Sequence, residues 1–515
     1  MKYTPHAFAA AILTLLAACG GGSGGTDAAT PPVVTPPVVT PPVDPVTPPV
    51  DPATPPVEPP AQLDYIALAG HCASPRPGLG PNGLPYYDLP GTLAEEKRWL
   101  RSFIDQTYLW YREVPANLNP EDYPTMLDYF AVLKTPAITA SGRAKDRFHF
   151  TYPSELWDEM SNSGVSLGYG ITWSRSTGEV PRIWVVTLVE PGSAADAAGI
   201  KRGDRLVSVD GVTSADTNAS ATFNAGVTPA TAGEAHAFVF QRGGGTFSLK
   251  LTAQKMAKAP VQSTRVISTP TGNVGYLQFH DHNAIAERQL LDAFTTLKAA
   301  GVNDLVLDMR YNGGGYVVVA AELAYMVAGP ASSGKVFEKL IRNDKLRQPS
   351  PQLFQSQSVG LAPASLASGT ALPYLGLKRV TILTTAGTCS ASEAVINGLR
   401  GVDVEVNLIG GETCGKPYAF TPQPNCGTTY FAIQNQGVND KGFGDYADGF
   451  QPTCKVDDDL EHALGDTSER LLAAALSYRA NGVCPATPLR ARSLNAAGPL
   501  QLVRPEGKEI AIRHR

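Results

Sequence analysis

The chain has 515 residues, of which 43% are hydrophobic and 17% charged, and its formal net charge is -5. That length accommodates two or three domains with cores of ordinary size, and a charge so close to neutrality excludes nucleic-acid binding through bulk electrostatics. Beyond the N-terminus, no stretch reaches the roughly 18 uninterrupted apolar residues of a membrane span.

Residues 1–19 read as an export signal. Lys2 supplies the positive start, Ala9 to Leu16 is apolar, and small residues lead to Cys19. Leu16-Ala17-Ala18-Cys19 resembles the bacterial lipobox, which implies cleavage before Cys19 and lipidation of its new N-terminus; an ordinary secretory signal with an incidental cysteine is the plainer alternative. The expectation is a lipid anchor in a bacterial cell envelope, with the body in the periplasm or at the cell surface. Gly20 stands where some inner-membrane lipoproteins carry aspartate, which points to the outer membrane.

Residues 20–62 form a Gly/Ser-rich and then Pro-rich linker. Prolines fill 14 of the 30 positions from 31 to 60, a density that removes backbone donors and favours polyproline II, so this is a semi-rigid stalk up to about 90 Å long. Six cysteines follow Cys19. An even count in an exported chain favours disulfides, and the absence of Cys-x-x-Cys spacing disfavours zinc. The expected pairs are Cys389–Cys414, Cys426–Cys454 and Cys72–Cys484, the first tying together two segments considered below.

Residues 63–163 form an N-terminal helical region. Leu93, Trp99, Leu100, Phe103, Ile104, Tyr108 and Leu109 recur at helical spacing up to Tyr111, and a second helix is predicted over Tyr123–Leu133. Between 164 and 256 short β-type runs alternate with glycine: strands at Ile183–Val189 and Arg205–Val209, a helical turn at Ser193–Ala198, and an Asp210-Gly211 turn. Val189-Glu190-Pro191-Gly192-Ser193-Ala194-Ala195, Ala198-Gly199-Ile200-Lys201-Arg202-Gly203-Asp204 and Val209-Asp210-Gly211 resemble a PDZ domain. The resemblance makes Gly168-Tyr169-Gly170-Ile171 the loop whose amides hold a peptide carboxylate, ahead of a strand edge open to β-augmentation. The plainer account is that these glycines only shape a turn.

Over 257–484 strands (Val274–Phe279, Asp304–Arg310, Val380–Thr384, Val404–Ile409) alternate with helices (Ala284–Ala300, Val317–Val327, Ser392–Leu399), and a last helix is expected over Thr467–Ala480. This is the pattern of a mostly parallel α/β sheet. The fold class is therefore multidomain α/β: an N-terminal helical region, a β-rich PDZ-like domain and an α/β core. Residues 485–515 read as a basic, solvated tail.

Three segments carry chemistry. Ser390 follows a buried-type strand and opens a helix; Ser390-Ala391-Ser392-Glu393 also fits a capping box, which alone would explain the serine. Lys416 lies in a small, apolar setting of Gly415, Pro417, Tyr418 and Phe420. A lysine deprotonates serine only when neutral, which means lowering its pKa from about 10.4 to near 7, at a cost of about 4 kcal/mol that burial can supply. Glu412 argues against this, because a nearby carboxylate holds an ammonium charged. Asp308-Met309-Arg310-Tyr311-Asn312-Gly313-Gly314-Gly315 is a strand end with glycines that expose backbone amides to a reacting carbonyl; a tight turn explains them as well.

In this order and spacing the three segments resemble the C-terminal processing peptidases, the tail-specific proteases of serine peptidase family S41, with the likeness running from about Leu93 to Ala480. The resemblance implies Ser390 as nucleophile, Lys416 as general base, the amides of Gly314 and Ala391 as oxyanion hole, an α/β peptidase core, a polypeptide substrate and no cofactor. Two positions depart from the family pattern: its usual proline is Gly313, and the glutamine that orients the lysine in some members is Phe420, which leaves Tyr418 as a candidate. A histidine base (His149, His280 or His282) is the competing mechanism. His280-Asp281-His282 also suggests a metal site that no further cluster completes, so no metal is expected. A non-catalytic peptide-binding lipoprotein on the same fold is the alternative function, and a carbonyl-binding fold of the enoyl-CoA hydratase kind is more remote because it leaves the PDZ-like segment unexplained.

Overall fold

The computed structural model describes residues 64–80, 83–178, 181–486, 500–503 and 511–512. The export signal, Cys19 and the linker lie outside the described residues.

The N-terminal region is held by one long helix, α1 (Leu93–Thr107), started by a capping box in which Thr92 and Glu95 satisfy each other's amides at 3.2 and 2.8 Å. Its apolar stripe buries Trp99, Leu100, Phe103 and Ile104. The periodicity predicted helix to Tyr111, but the backbone turns extended at Tyr108, whose hydroxyl donates to buried Asp146 at 2.6 Å. The second helix, α2 (Met126–Val132), begins three residues later than expected because Thr125 is its N-cap. Both pack on an aromatic cluster that includes Tyr418, Phe420, Tyr430 and Phe431 from the far end of the sequence.

The PDZ-like module is a sheet of β1 (Ile171–Ser176), β2 (Trp184–Val189), β3 (Arg205–Val209), β4 (Ala235–Arg242) and β5 (Gly245–Thr252), ordered β5-β4-β3-β2-β1 and antiparallel throughout. Its core is aromatic, with Trp173, Trp184, Phe238 and Phe240 all buried. Below it, Val165–Gly168 pairs with Gln254–Ala257, so entry and exit of the module lie side by side.

The α/β core is a sheet of β6 (Val261–Thr269), β7 (Gly272–Phe279), β8 (Asp304–Asp308), β10 (Arg379–Thr384), β11 (Glu405–Gly410) and β12 (Cys454–Lys455), in that order. Between β8 and β10 in sequence the short strand β9 (Gly315–Tyr316) leads into helix α4. Only β6 runs antiparallel to its neighbour; the other pairs are parallel. Successive side chains point to opposite faces. Leu277, Phe279, Leu305 and Leu307 therefore face α3 (Ala286–Ala299), α4 (Val317–Ala328) and α5 (Ala391–Gly401), whereas Val274, Tyr276 and Val306 face α6 (Arg470–Asn481). α4 is buried on every side, and the Val317-to-Ala324 apolar run, interrupted only by Glu322, accounts for it. Among the described residues no helix is long and apolar enough to cross a membrane.

Three disulfides close the described chain, and two differ from expectation. Cys389–Cys414 is formed as expected, but Cys72 pairs with Cys426 and Cys454 with Cys484. Cys426 sits at the tip of the hairpin Gln423–Phe431, in a turn where both Cys426 and Gly427 have positive φ; the neighbouring Asn425 accepts from the Gly70 N–H at 2.8 Å, which brings the tip to Cys72. Cys454 is on the edge strand β12, and α6 ends at Gly482, left-handed at φ 68°, which turns Cys484 back onto it.

The tail is not simply solvated. Leu500–Val503 forms β13, antiparallel on the outer edge of β1, and Ala511–Ile512 forms β14, parallel on β9.

Candidate active site

The strand β10 ends at Thr384, and a short turn delivers Ser390 to the start of α5 with φ 60° and ψ -115°. A serine at positive φ is strained by about 1–3 kcal/mol and persists only where its surroundings hold it. They do so here: the Cys389 N–H donates to the Asn312 carbonyl at 3.0 Å, Thr388 Oγ1 to the Met309 carbonyl at 2.9 Å, and Ser392 Oγ to the Asn312 carbonyl at 3.1 Å. Ser390 is 2% exposed, and its Oγ has no hydrogen-bond partner. The expected capping box is present, with Glu393 accepting from the Ser390 N–H at 2.9 Å, yet the serine hydroxyl makes no hydrogen bond of normal geometry within it.

Glu393 does more than cap. One of its oxygens, Oε2, accepts from both the Ser390 N–H at 2.9 Å and the Lys416 N–H at 2.8 Å; the other accepts from the Gly415 N–H at 2.8 Å and Thr413 Oγ1 at 2.5 Å. The serine and lysine backbones therefore meet on a single atom. Burial raises the Glu393 carboxyl above its ordinary value, against the opposing pull of these donors. The Cys389–Cys414 disulfide joins the same two segments, with Cα atoms 5.1 Å apart.

Lys416 is 1% exposed, and its Nζ lies over the faces of Phe420 at 4.2 Å and Phe148 at 4.9 Å. The departure at position 420 thus places a ring against the lysine. Tyr418 is buried edge-on to Trp110, and burial pushes its phenol up to about 12. Glu412 does not oppose the lysine as expected: its carboxylate pairs with Arg143 at 3.2 Å. Arg147 braces the lysine loop by donating to the carbonyls of Cys414, Gly415 and Ala447. Gly415, at φ 83°, admits no side chain, since a Cβ there would sit 2.3 Å from the Ala447 carbonyl oxygen.

The glycine-rich turn faces this pair and is organised by Asn312. Its Oδ1 accepts from the Gly314 N–H and from His282 Nδ1, each at 3.0 Å, and its Nδ2 donates to the Phe279 carbonyl at 3.1 Å. The Gly314 amide is therefore engaged inside the turn, whereas Ala391, at the first helical position, has no intrahelical acceptor for its N–H. Tyr311, in the same turn, receives Arg202 of the PDZ-like module: Nη1 donates to the Tyr311 hydroxyl at 2.6 Å, and Nη2 to Asp458 at 2.8 Å. Arg310 beside it is fully buried among Asp308, Asp458 and Glu469, at 2.9 Å from each.

The three histidines considered as bases are otherwise committed. His149 contacts the Phe130 carbonyl at 2.9 Å within the N-terminal cluster, His280 contacts Gln278, and His282 holds Asn312. Burial lowers His280 to about 4 and His282 to about 3, so both are neutral. Among the described residues, Cys389, Glu393 and Cys414 form the sole metal-like cluster, and its two sulfurs are bonded to each other. In the PDZ-like module, the carboxylate-loop residue Tyr169 points inward, donating to the Gly226 carbonyl at 3.0 Å. Gly168 and Gly170 flank it at positive φ, and Ile171 begins β1.

Asn312, His282 and Arg202 were not assigned these roles from sequence. Asn312 carried a usable signal, since asparagine two residues before a glycine amide is a common side-chain-to-backbone turn. His282 and Arg202 act on partners 30 and 109 residues away in sequence, which no local pattern encodes.

Three family models match the chain: the peptidase S41 N-terminal domain over residues 95–152, a PDZ domain over 185–221 and peptidase family S41 over 273–456. The chain is 28% identical over 347 residues to a chloroplastic C-terminal processing peptidase of Tetradesmus obliquus, covering 61% of this chain and 64% of that protein. It is 33% identical over 138 residues to a chloroplastic carboxyl-terminal-processing peptidase 1 of Arabidopsis thaliana, covering 26% and 27%. The chain thus spans less than two thirds of the length of these relatives. A solved structure of a protein assigned to the S41 proteases, from Bacteroides fragilis, superimposes with a TM-score of 0.58 at 25% identity, covering 75% of this chain and 97% of that one. Fold and matches define the class: a multidomain α/β protein with a PDZ domain and a peptidase core. The chain matches the models of peptidase family S41 and of its N-terminal domain, and the relatives it is similar to are C-terminal processing peptidases.

Proposed function

We propose that the chain is a serine endopeptidase of the C-terminal processing type, using Ser390 and Lys416 as a dyad and the PDZ domain to capture an exported polypeptide. The observation that supports this is the Glu393 oxygen shared by the two backbone amides, which sets the backbone of a strained serine, its hydroxyl unpartnered, beside that of a buried lysine. In the reaction, Lys416 in its neutral form takes the proton from Ser390 Oγ as the oxygen attacks the scissile carbonyl. Amides of Ala391 and Gly314 receive the negative oxygen, and the protonated lysine then gives its proton to the departing amine, leaving an acyl-enzyme for water to hydrolyse. Gly314 contributes only after its N–H leaves Asn312, so the turn shifts when substrate binds. Catalytic hydrogen bonds often tighten in this way only in the substrate complex.

Proteolysis of an unfolded polypeptide by the wild type, and none by Ser390→Ala or Lys416→Ala, is the expected result. Full activity in Lys416→Ala assigns the base elsewhere. Cys19 is proposed as the lipidated anchor, tested by loss of membrane fractionation in Cys19→Ala. If both Ser390→Ala and wild type bind polypeptide and neither cuts it, the peptide-binding lipoprotein is the function.

A further inference from the structure

The chain's own tail lies where a captured polypeptide would lie. β13 adds to the free edge of β1 with Leu500 opposite Ser176, Gln501 opposite Arg175, Leu502 opposite Ser174 and Val503 opposite Trp173. This antiparallel run heads from Ser176 towards Gly168–Ile171, the direction a peptide takes when it adds a strand beside a carboxylate loop. Val503 packs against the aromatic core of the module. Eight peptide steps later, within a reach of about 28 Å, the chain pairs again, Ala511 opposite Gly315 and Ile512 opposite Tyr316. β9 starts at the last glycine of the turn that faces Ser390, and its other edge is taken by His282. A Cβ on Gly315 would lie 2.6 Å from the His282 carbonyl oxygen, so this strand is sandwiched closely between its two partners.

We propose that the edge of β1 and the strand β9 form one polypeptide-binding track, and that Leu500–Val503 and Ala511–Ile512 occupy it as a tethered competitor of substrate. The proposal rests on the peptidase reading for its biological consequence, but the track is a binding surface in its own right. Both pairings use backbone groups, so the track accepts extended polypeptide of varied sequence, with apolar residues at the positions held here by Leu502 and Val503. A tethered segment acts at an effective concentration of about a millimolar. A free peptide that binds the bare track at about 10 µM is therefore weakened about a hundredfold while the tail is in place.

The test uses the folded chain in its Ser390→Ala form, intact and ending at Asn495, with a fluorescein-labelled peptide of residues 496–515 as probe. Anisotropy is expected to show binding to the shortened chain and at least about tenfold weaker binding to the intact one, and Val503→Asp in the intact chain is expected to restore it. With Ser390 present, the shortened chain is expected to cleave reduced, carboxymethylated lactalbumin with a lower KM, and the probe peptide to inhibit it competitively. Equal binding to both chains, or to neither while the shortened chain keeps its melting temperature, overturns the proposal. So does a shortened chain that melts early and binds nothing, since the tail is then a structural strand. If no form cleaves lactalbumin while the binding contrast holds, the peptidase reading falls and the occupied track stands.

Discussion

The two walls of the candidate site are built differently. On the serine and lysine side, a disulfide and a fully buried carboxylate with four donors hold the segments. On the glycine-rich side, the residues after the buried Arg310 ion-pair cluster are held by hydrogen bonds through Asn312, and one of them is gripped from another domain by Arg202. One wall is fixed in advance and the other is adjustable. Under the proposed function, such a site would keep Ser390 placed while the Gly314 amide responds to contacts from the PDZ domain.

The largest effect tests the fixed wall itself: Ser390→Ala or Lys416→Ala should lower turnover of an unfolded polypeptide by about 10⁴ to 10⁶ with the circular dichroism unchanged. Next, Glu393→Ala leaves buried amides of Ser390, Gly415 and Lys416 without an acceptor, and urea unfolding should show a loss of about 3–5 kcal/mol. Replacing both Cys389 and Cys414 by serine opens a loop with a sequence separation of 25, for which about 3 kcal/mol is expected. On the adjustable wall, Arg202→Ala should cost less, about 2 kcal/mol, yet alter kcat, because it leaves the Tyr311 hydroxyl with Asp458 but without its tie to the PDZ domain. If Arg202→Ala destabilises as strongly as Glu393→Ala, the two walls are equally rigid and the contrast fails.

Per pH unit, the smallest effect is a stability slope. His282 is neutral when folded, at about 3, against 6.5 as the ordinary value. The unfolded chain therefore binds a proton that the folded one refuses. Its contribution to stability is complete above about pH 6.5 and is lost as pH falls towards 3, by up to about 1.4 kcal/mol per pH unit. His282→Gln should remove one proton's worth of this slope in urea midpoints measured from pH 7 to pH 4.

Much of this architecture was legible. Strands and helices of the α/β core fall within a few residues of expectation because apolar runs such as Val380–Leu383 and Val317–Ala324 are bounded by glycine and polar residues. The position of Ser390 at a strand-to-helix junction was legible for the same reason. What was not legible depends on partners distant in sequence. Glu412 looked like a threat to Lys416 until Arg143 claimed it. Glu393 looked like a cap, and nothing local reveals that Gly415 and Lys416 converge on it. Cys426 found Cys72 because of a hairpin tip lying against the N-terminal segment. The tail, read as basic and solvated, forms strands because sheet edges elsewhere were free; composition reports charge but not vacancy.

The Cys72–Cys426 bond has a topological consequence. It spans 354 residues and so draws α1, the whole PDZ domain, the glycine-rich turn, Ser390 and Lys416 into one covalent ring. A single backbone nick anywhere inside that ring opens it without shedding a fragment, and the pieces part only when a reductant is added. Damage to a surface loop would then be silent on a non-reducing gel and visible on a reducing one.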